Sequence, residues 1–336
     1  MRYGKISQTA WKRFVGKQLH TEKEHLIFSP SPWQTCSGIK CEDEAFVMAD
    51  AVISGESAGN VFYAVWKAAG DLAAAGMLPE SVSVQALFPG DTGEEMLSEL
   101  ARSVSEVCGI LQLQAGAVKA EVSPAVNCPV ITVSVLGRKG RAEENKVKPG
   151  HDIVYCGCAG LEGMLRLAEE EKGSLRERFS PSFLAQTEAL KKALVSPGQI
   201  LKLREEGKEN SAFEISAVRQ VGSGGILAEL WNLAEESGIG MEISLSDIAL
   251  KQETVEICEL FGLNPYQMTS AGSFLITTDH ADMVIRVLEK AGARAGKLGV
   301  ATAQKARVIT SGEEVRYLDR PAPDELVLMQ SRKRQK

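Results

Sequence analysis

Short apolar runs of strand type alternate with longer helix-type runs along nearly the whole chain, and a polar, charged stretch at 138–150 (RKGRAEENKVKPG) interrupts them near the middle. The runs on either side, 129–136 (PVITVSVL) and 152–156 (DIVYC), read as strands, so the stretch between them reads as a linker. This alternation restricts the chain to an α/β architecture. At 336 residues it is too long for one compact core and suits two α/β domains of roughly 150 residues each.

In the first half, 59–75 reads as a tightly packed helix of small and apolar residues, stopped by Gly76 and Pro79. A strand at 82–87, a turn at Pro89-Gly90-Asp91, a helix from Glu94 to about Val107 and a strand at 110–114 follow. The second half reads as strand 152–156, helices 161–171 and 182–194, and strand 213–218. After these come helices 225–237 and 252–261, strand 273–277, helix 279–291 and strands near 296–300 and 306–309. The final MQSRKRQK reads as a frayed, solvated tail.

The net charge is −6, from 38 basic and 44 acidic residues. Arg332, Lys333, Arg334 and Lys336 crowd the very end, which leaves the body more acidic still and without the basic footprint of a nucleic-acid binder. No apolar run approaches the ~18 residues of a membrane span, and the first residues, MRYGKISQTAWKRF, lack a signal-type apolar core. A soluble, cytoplasmic protein is expected. The cysteines number 7, an odd count, and neither Cys36/Cys41 nor Cys156/Cys158 has the two-residue gap of zinc or thioredoxin-like sites. They are expected to be buried or idle thiols. The 4 histidines, His20, His25, His151 and His280, show no helical pairing, which argues against a histidine metal site.

Two features carry possible chemistry. Gly222-Ser223-Gly224-Gly225 lies between a strand and a helix, where free N–H groups and the helix dipole favour an anion, but such glycines serve close strand-to-helix packing equally well. Neither a Walker sequence nor a GxGxxG turn is present. Asp50 and Asp71 interrupt apolar surroundings and must be exposed, paired or cation-bound. With Mg²⁺ they would neutralise a polyphosphate; the plainer reading is a cap and a salt bridge.

At these segments the chain resembles the AIR synthase (PurM-like) superfamily, most closely its HypE-like hydrogenase maturation and AIR synthase-related members. Gly4-Lys5-Ile6 matches the opening GKL, 45–54 (AFVMADAVIS) matches LVVxxDPIT, and 70–79 (GDLAAAGMLP) matches NDLAAMGAxP. EVSPAVNCPVITVSVLG, from Glu121, matches EVTPAVNxPVVTVTALG; PGHDIVYCGCAGLEG, from Pro149, matches PGDDIVVTGxxGLEG. VRQVGSGGILAELWNLAEESGIG, from Val218, is similar to MHDVTEGGIxxALxEMAEASGxG, and LFGLNPYQMTSAGSFLI, from Leu260, to LGLDPLxLISSGSLLI.

The resemblance implies a two-domain PurM-like fold: an AIR synthase-related N-terminal sheet domain at 1–140 that dimerises, a C-terminal α/β domain at 150–326, and a basic tail at 327–336. It implies a homodimer, ATP and Mg²⁺ as ligands, and a possible protein partner. Nucleotide-facing positions fall at Lys5, Gly116, Lys119, Gly222, Gly224 and Gly225, and metal-facing ones at Asp50, Asp71 and Glu121. The chain departs from the pattern in several places. No carboxylate stands at 34–40 where relatives have GEDAAV, and Glu42, Asp43 and Glu44 come only later. The GGHTE segment of relatives has become AVKAE (117–121), with Lys119 a phosphate partner rather than a metal ligand. The His-Asp of HDVTEGG is Arg219-Gln220, and the terminal cysteine that carries the carbamoyl group in HypE is missing. Two functions follow as expectations: an ATP- and Mg²⁺-dependent phosphoryl-activating enzyme with altered chemistry, or a catalytically degenerate member acting as a dimeric binding or regulatory protein.

Overall fold

The computed structural model describes residues 5–19, 26–41, 44–138, 146–210 and 213–333; most of the linker, Glu42, Asp43, His20 and His25 lie outside these. The chain forms two compact units, Ser7–Glu143 with Ser196–Gly198, and Met1–Ile6 with Glu144–Val195 and Gln199–Lys336.

The first unit opens with one short turn, α1 (Gln8–Ala10), capped by the Ser7 hydroxyl and continued by a π-helical stretch, Trp11–Gly16. Then come β1 (Cys36–Cys41), β2 (Glu44–Ser54), α2 (Val61–Ala74), β3 (Leu78–Phe88), α3 (Glu94–Leu111), β4 (Gln114–Val122) and β5 (Val130–Arg138). The strands form one five-stranded sheet in the order β1-β2-β5-β3-β4, antiparallel except for the β3/β4 pair. Period-two alternation sorts the strand residues. Val47, Ala49, Ala51 and Ile53 of β2 and Ile131, Val133 and Val135 of β5 are buried on the face that α2 covers, while Met48, Asp50 and Val52 point the other way. The helix can approach closely because it is rich in alanine: Ala64, Ala68, Ala69 and Ala73 are all buried, and a Cβ at Gly137 would lie 3.2 Å from the Leu72 side chain. The strand expected at 110–114 is corrected: α3 runs to Leu111, Gln112 adopts a left-handed conformation (φ 57°) that ends it, and the strand begins only at Gln114.

In the second unit β6 (Asp152–Cys156), α4 (Leu161–Glu170), α5 (Lys172–Arg178), α6 (Pro181–Ala189), α7 (Pro197–Asn210) and β7 (Ile215–Gln220) precede α8 (Gly225–Ser237) and β8 (Gly240–Ser244). Next are α9 (Gln252–Phe261), β9 (Phe274–Thr278), α10 (Ala281–Lys290), β10 (Ala295–Thr302), β11 (Arg307–Ser311), β12 (Glu314–Tyr317) and α11 (Glu325–Lys333). A seven-stranded mixed sheet results, β12-β11-β8-β10-β6-β9-β7, whose central strands carry buried residues at nearly every position because helices cover them. Ile153, Leu275, Leu298, Ile226, Leu230 and Met241 share one core. Elements α4, α8, α9 and β6 coincide with the sequence reading. The single helix expected at 182–194 is α6 followed by a 3₁₀ turn, Leu190–Ala193, with Pro181 in the first turn and Ser180 as its cap. The expectation of a frayed tail is corrected over 329–333, while 334–336 lie outside the described residues. Glu325–Lys333 is helical, because Leu326 and Met329 bury one stripe and Asp324 accepts the Leu326 N–H.

Candidate functional site

The sheet ladders fix where the expected site residues of the first unit stand. Asp50 is opposite Ser134, Ser134 opposite Ser83, and Ser83 opposite Ala117, one row across the exposed face. The next row on that face runs Val52, Thr132, Gln85, Lys119, and the one after it Ser54, Val130, Leu87, Glu121. Asp50, Lys119 and Glu121 therefore share one side of the sheet. Gly116 marks a bulge in edge strand β4, between Ala115 opposite Val82 and Ala117 opposite Ser83. The same face exposes Ile39, Met48, Val52 and Leu136, which form its apolar part on β1, β2 and β5.

The three carboxylates expected to hold Mg²⁺ do not converge. Asp71 is in α2, on the covered side of the sheet, and only 2% exposed. Its carboxylate is 2.6 Å from the Lys67 ammonium one helical turn earlier, and its backbone carbonyl accepts from the Cys36 thiol at 3.5 Å. Asp50, on the opposite side, accepts the Ser134 hydroxyl at 2.5 Å. Between Asp50 and Glu121 lie strands β5 and β3, roughly 14 Å at ordinary strand spacing. Magnesium binds its ligands at about 2.1 Å, so no single ion reaches two of these groups within one copy of the chain. Among the described residues, no group of three or more His, Cys, Asp or Glu is placed to hold a metal ion. The donor set thus does not fit the metal site that the resemblance implied. Of the plainer reading, a cap and a salt bridge, Asp71 makes the salt bridge, while Asp50 is no cap: it lies within β2 and holds the Ser134 hydroxyl.

In the second unit the glycine turn is also internally occupied. Gly224, with φ 87°, precedes α8, and its N–H donates to the Asp324 carboxylate at 2.7 Å. Gly225 has φ 68°, and a Cβ there would lie 2.4 Å from the Tyr266 carbonyl oxygen and 2.8 Å from the Met268 nitrogen. Close packing is therefore one reason this position is glycine. Gly222 is buried and accepts the Gly225 N–H through its carbonyl. The α2 end of the first unit repeats the theme: Glu99 of α3 accepts from the Gly59 N–H at 3.0 Å and the Ser57 hydroxyl at 2.5 Å. At both turns a carboxylate of the chain itself stands where a ligand anion would gain most.

Lys5 stands beside a buried charge cluster. Arg219, in the position of the missing histidine, lies 3.0 Å from Glu229 and 3.2 Å from Glu236. Burial would raise the Glu229 carboxyl, but the Arg219 guanidinium, the Lys5 ammonium and hydrogen bonds from Arg219 and Asn232 outweigh it and hold the group below the usual carboxylate range. Cys36, Cys108, Cys128, Cys156, Cys158 and Cys258 are buried. Burial pushes the Cys258 thiol up to about 12 and raises Cys156 and Cys158 too, which is the setting of inert thiols.

Lys67, Glu99, Ser134 and Asp324 were not singled out in the sequence. The four-residue spacing of Lys67 and Asp71 was a readable signal; a carboxylate a hundred residues from its glycine gave none.

Residues 148–311 match the family described as AIR synthase related protein, C-terminal domain. The chain superposes on a HypE structure from a HypE–HypF complex with a TM-score of 0.67 at 20% identity, over 84% of this chain and 93% of that one. The chain has the PurM-like fold of the AIR synthase-related proteins. A putative hydrogenase expression/formation protein of Methanocaldococcus jannaschii is 25% identical over 262 residues, 76% of this chain and 74% of its own. A HypE structure in complex with ATP aligns with a TM-score of 0.65 at 15% identity, over 83% of this chain and 87% of that one. The fold is HypE-like across both units. No described helix is long and apolar enough to cross a membrane.

Proposed function

We propose that this chain is a HypE-like, self-associating nucleotide-binding protein of the hydrogenase-maturation type, whose activity is binding and not phosphoryl transfer. One observation carries the second half of that reading: Asp50, Asp71 and Glu121 are held apart, with Asp71 neutralised by Lys67. Phosphoryl transfer rests on positioning and on neutralising charge, and the scatter of these carboxylates removes the metal clamp that would supply both.

Support for nucleotide binding comes from the fold shared with an ATP-bound HypE and from the polar side of the exposed sheet face. There Lys119 stands opposite Gln85, giving an ammonium and an amide able to meet phosphate oxygens without a metal. The apolar side of the same face, Ile39, Met48, Val52 and Leu136, is suited to a second copy of the chain. A protein partner is in keeping with the HypE–HypF complex formed by a structural relative.

A second reading is favoured by Asp324 on Gly224: a family member that binds no nucleotide and works only as a dimeric regulatory scaffold. A thermal-shift titration with ATP, with and without EDTA, separates the two. The proposed function requires a shift beyond that of NaCl at equal ionic strength that survives EDTA; the scaffold reading requires none.

A further inference from the structure

The C-terminal helix α11 is tied to the second unit through a buried carboxylate. Asp324, 2% exposed, immediately precedes the helix. One oxygen accepts the Gly224 N–H at 2.7 Å, the other the Leu326 N–H at 3.0 Å, so a single side chain ends two helices at once. Beyond it, only Leu326 and Met329 of α11 are buried. Gln330 reaches the Glu170 carboxylate at 3.4 Å, and Lys333 pairs with Glu171, both at the C-terminal end of α4.

The charges around Asp324 do not balance. From α4 it faces Glu162 and Arg166, which are paired with each other at 3.2 Å, so the guanidinium is shared. Glu162 also accepts the Ala271 N–H. On its own helix Glu325 adds another carboxyl near Asp324, itself near Cys258 of α9 and Arg332. From the N-terminus of α8 the Gly224 amide faces it, and the dipoles of α8 and α11 both favour the ionised form. Burial, reinforced by Glu162, raises the Asp324 carboxyl against the opposing pull of the two amides and Arg166. Each oxygen accepts one backbone N–H, so a proton on a remaining lone pair removes the charge while leaving both amides an acceptor atom.

We propose that α11 is a proton-coupled strap, latched to the N-terminus of α8 through Asp324 and held more tightly when that carboxylate takes up a proton. Linkage fixes the sign. Once α11 is detached, Asp324 titrates as an ordinary carboxyl. The latch is therefore at full strength below that ordinary value and weakens as pH rises through the higher value of the docked state. Each unit between the two values is about tenfold in the docking equilibrium. The proposal does not depend on nucleotide binding.

Hydrogen exchange on the full chain, with protection factors corrected for intrinsic rates, tests it between about pH 4.5 and 7.5. Protection over 325–333 and at the Gly224 amide is expected to fall together, roughly tenfold per unit of raised value. Asp324→Asn, which removes the charge and keeps one acceptor oxygen, flattens the fall; Glu314→Gln, at an exposed position on β12, leaves it in place. Should Asp324→Asn fail to fold by circular dichroism, Glu162→Gln serves: removing the neighbouring charge shrinks the fall. An undiminished fall in Asp324→Asn, or in Glu162→Gln where that variant is the one used, overturns the latch. So does loss of protection in α11 while Gly224 stays protected.

Discussion

Asp50 and Asp71 stand on opposite faces of the five-stranded sheet, one bonded to the Ser134 hydroxyl and the other to the Lys67 ammonium. Two carboxylates that a superfamily pattern would bring to one cation are thus used separately, each with a partner from the chain.

The Lys67 pair gives the first prediction. Asp71 is buried, and removing its cation leaves an uncompensated charge. Lys67→Ala is expected to destabilise the protein by about 3 kcal/mol in urea denaturation. Asp71→Asn combined with Lys67→Met should cost much less than the sum of the single changes. A double variant as unstable as that sum would show that the two residues do not act as a pair.

Self-association through the exposed sheet face is the second. Val52 and Leu136 are 68% and 39% exposed there. Changing both to Glu places like charges across a shared surface and is expected to weaken dimerisation on the order of a hundredfold, with the thermal midpoint of the monomer nearly unchanged. Sedimentation equilibrium reads the outcome; an unchanged dimer would place the interface elsewhere.

A third concerns Gly225→Ala. Both its positive φ and the 2.4 Å approach to the Tyr266 carbonyl oppose a Cβ. A loss of about 2 kcal/mol or more is expected, read by thermal melting without any ligand. If the variant melts like the parent, close packing is not why glycine stands there.

The Arg219 cluster predicts a pH dependence. Because the Glu229 carboxyl lies below its unfolded value, its contribution is complete above about pH 4.3 and is lost as pH falls through the lowered folded value. Glu229→Gln is expected to flatten the acid limb of the stability curve. Arg219→Ala, which strands two carboxylates, should cost about 3–5 kcal/mol at neutral pH. An acid limb unaltered in Glu229→Gln would contradict the assignment.

How much of this was legible follows from range. Elements set by local pattern, such as β6, α8 and α9, could be read because their apolar period and flanking glycines lie within one window. β4 was hidden: its residues are almost all exposed, so no alternation marks it. α11 was hidden because its helix depends on two buried side chains and a cap, amid the charge of a tail. For the site, the residue types were legible and their grouping was not. Alternation along β2 could have put Asp50 on the face opposite Ala49, but only the packed position of α2 shows that Asp71 lies beyond that sheet. Asp324 reaches Gly224 through tertiary contact alone, which no local pattern reports.

The most direct measurement is the thermal shift with ATP at about 100 times its dissociation constant, where binding to the folded state alone adds about 2.7 kcal/mol. The account predicts a shift that persists in EDTA, is unchanged relative to its own baseline in Asp71→Asn, and is lost in Lys119→Ala. No shift beyond that of NaCl at equal ionic strength, or one that vanishes with EDTA and Asp71→Asn, would contradict it.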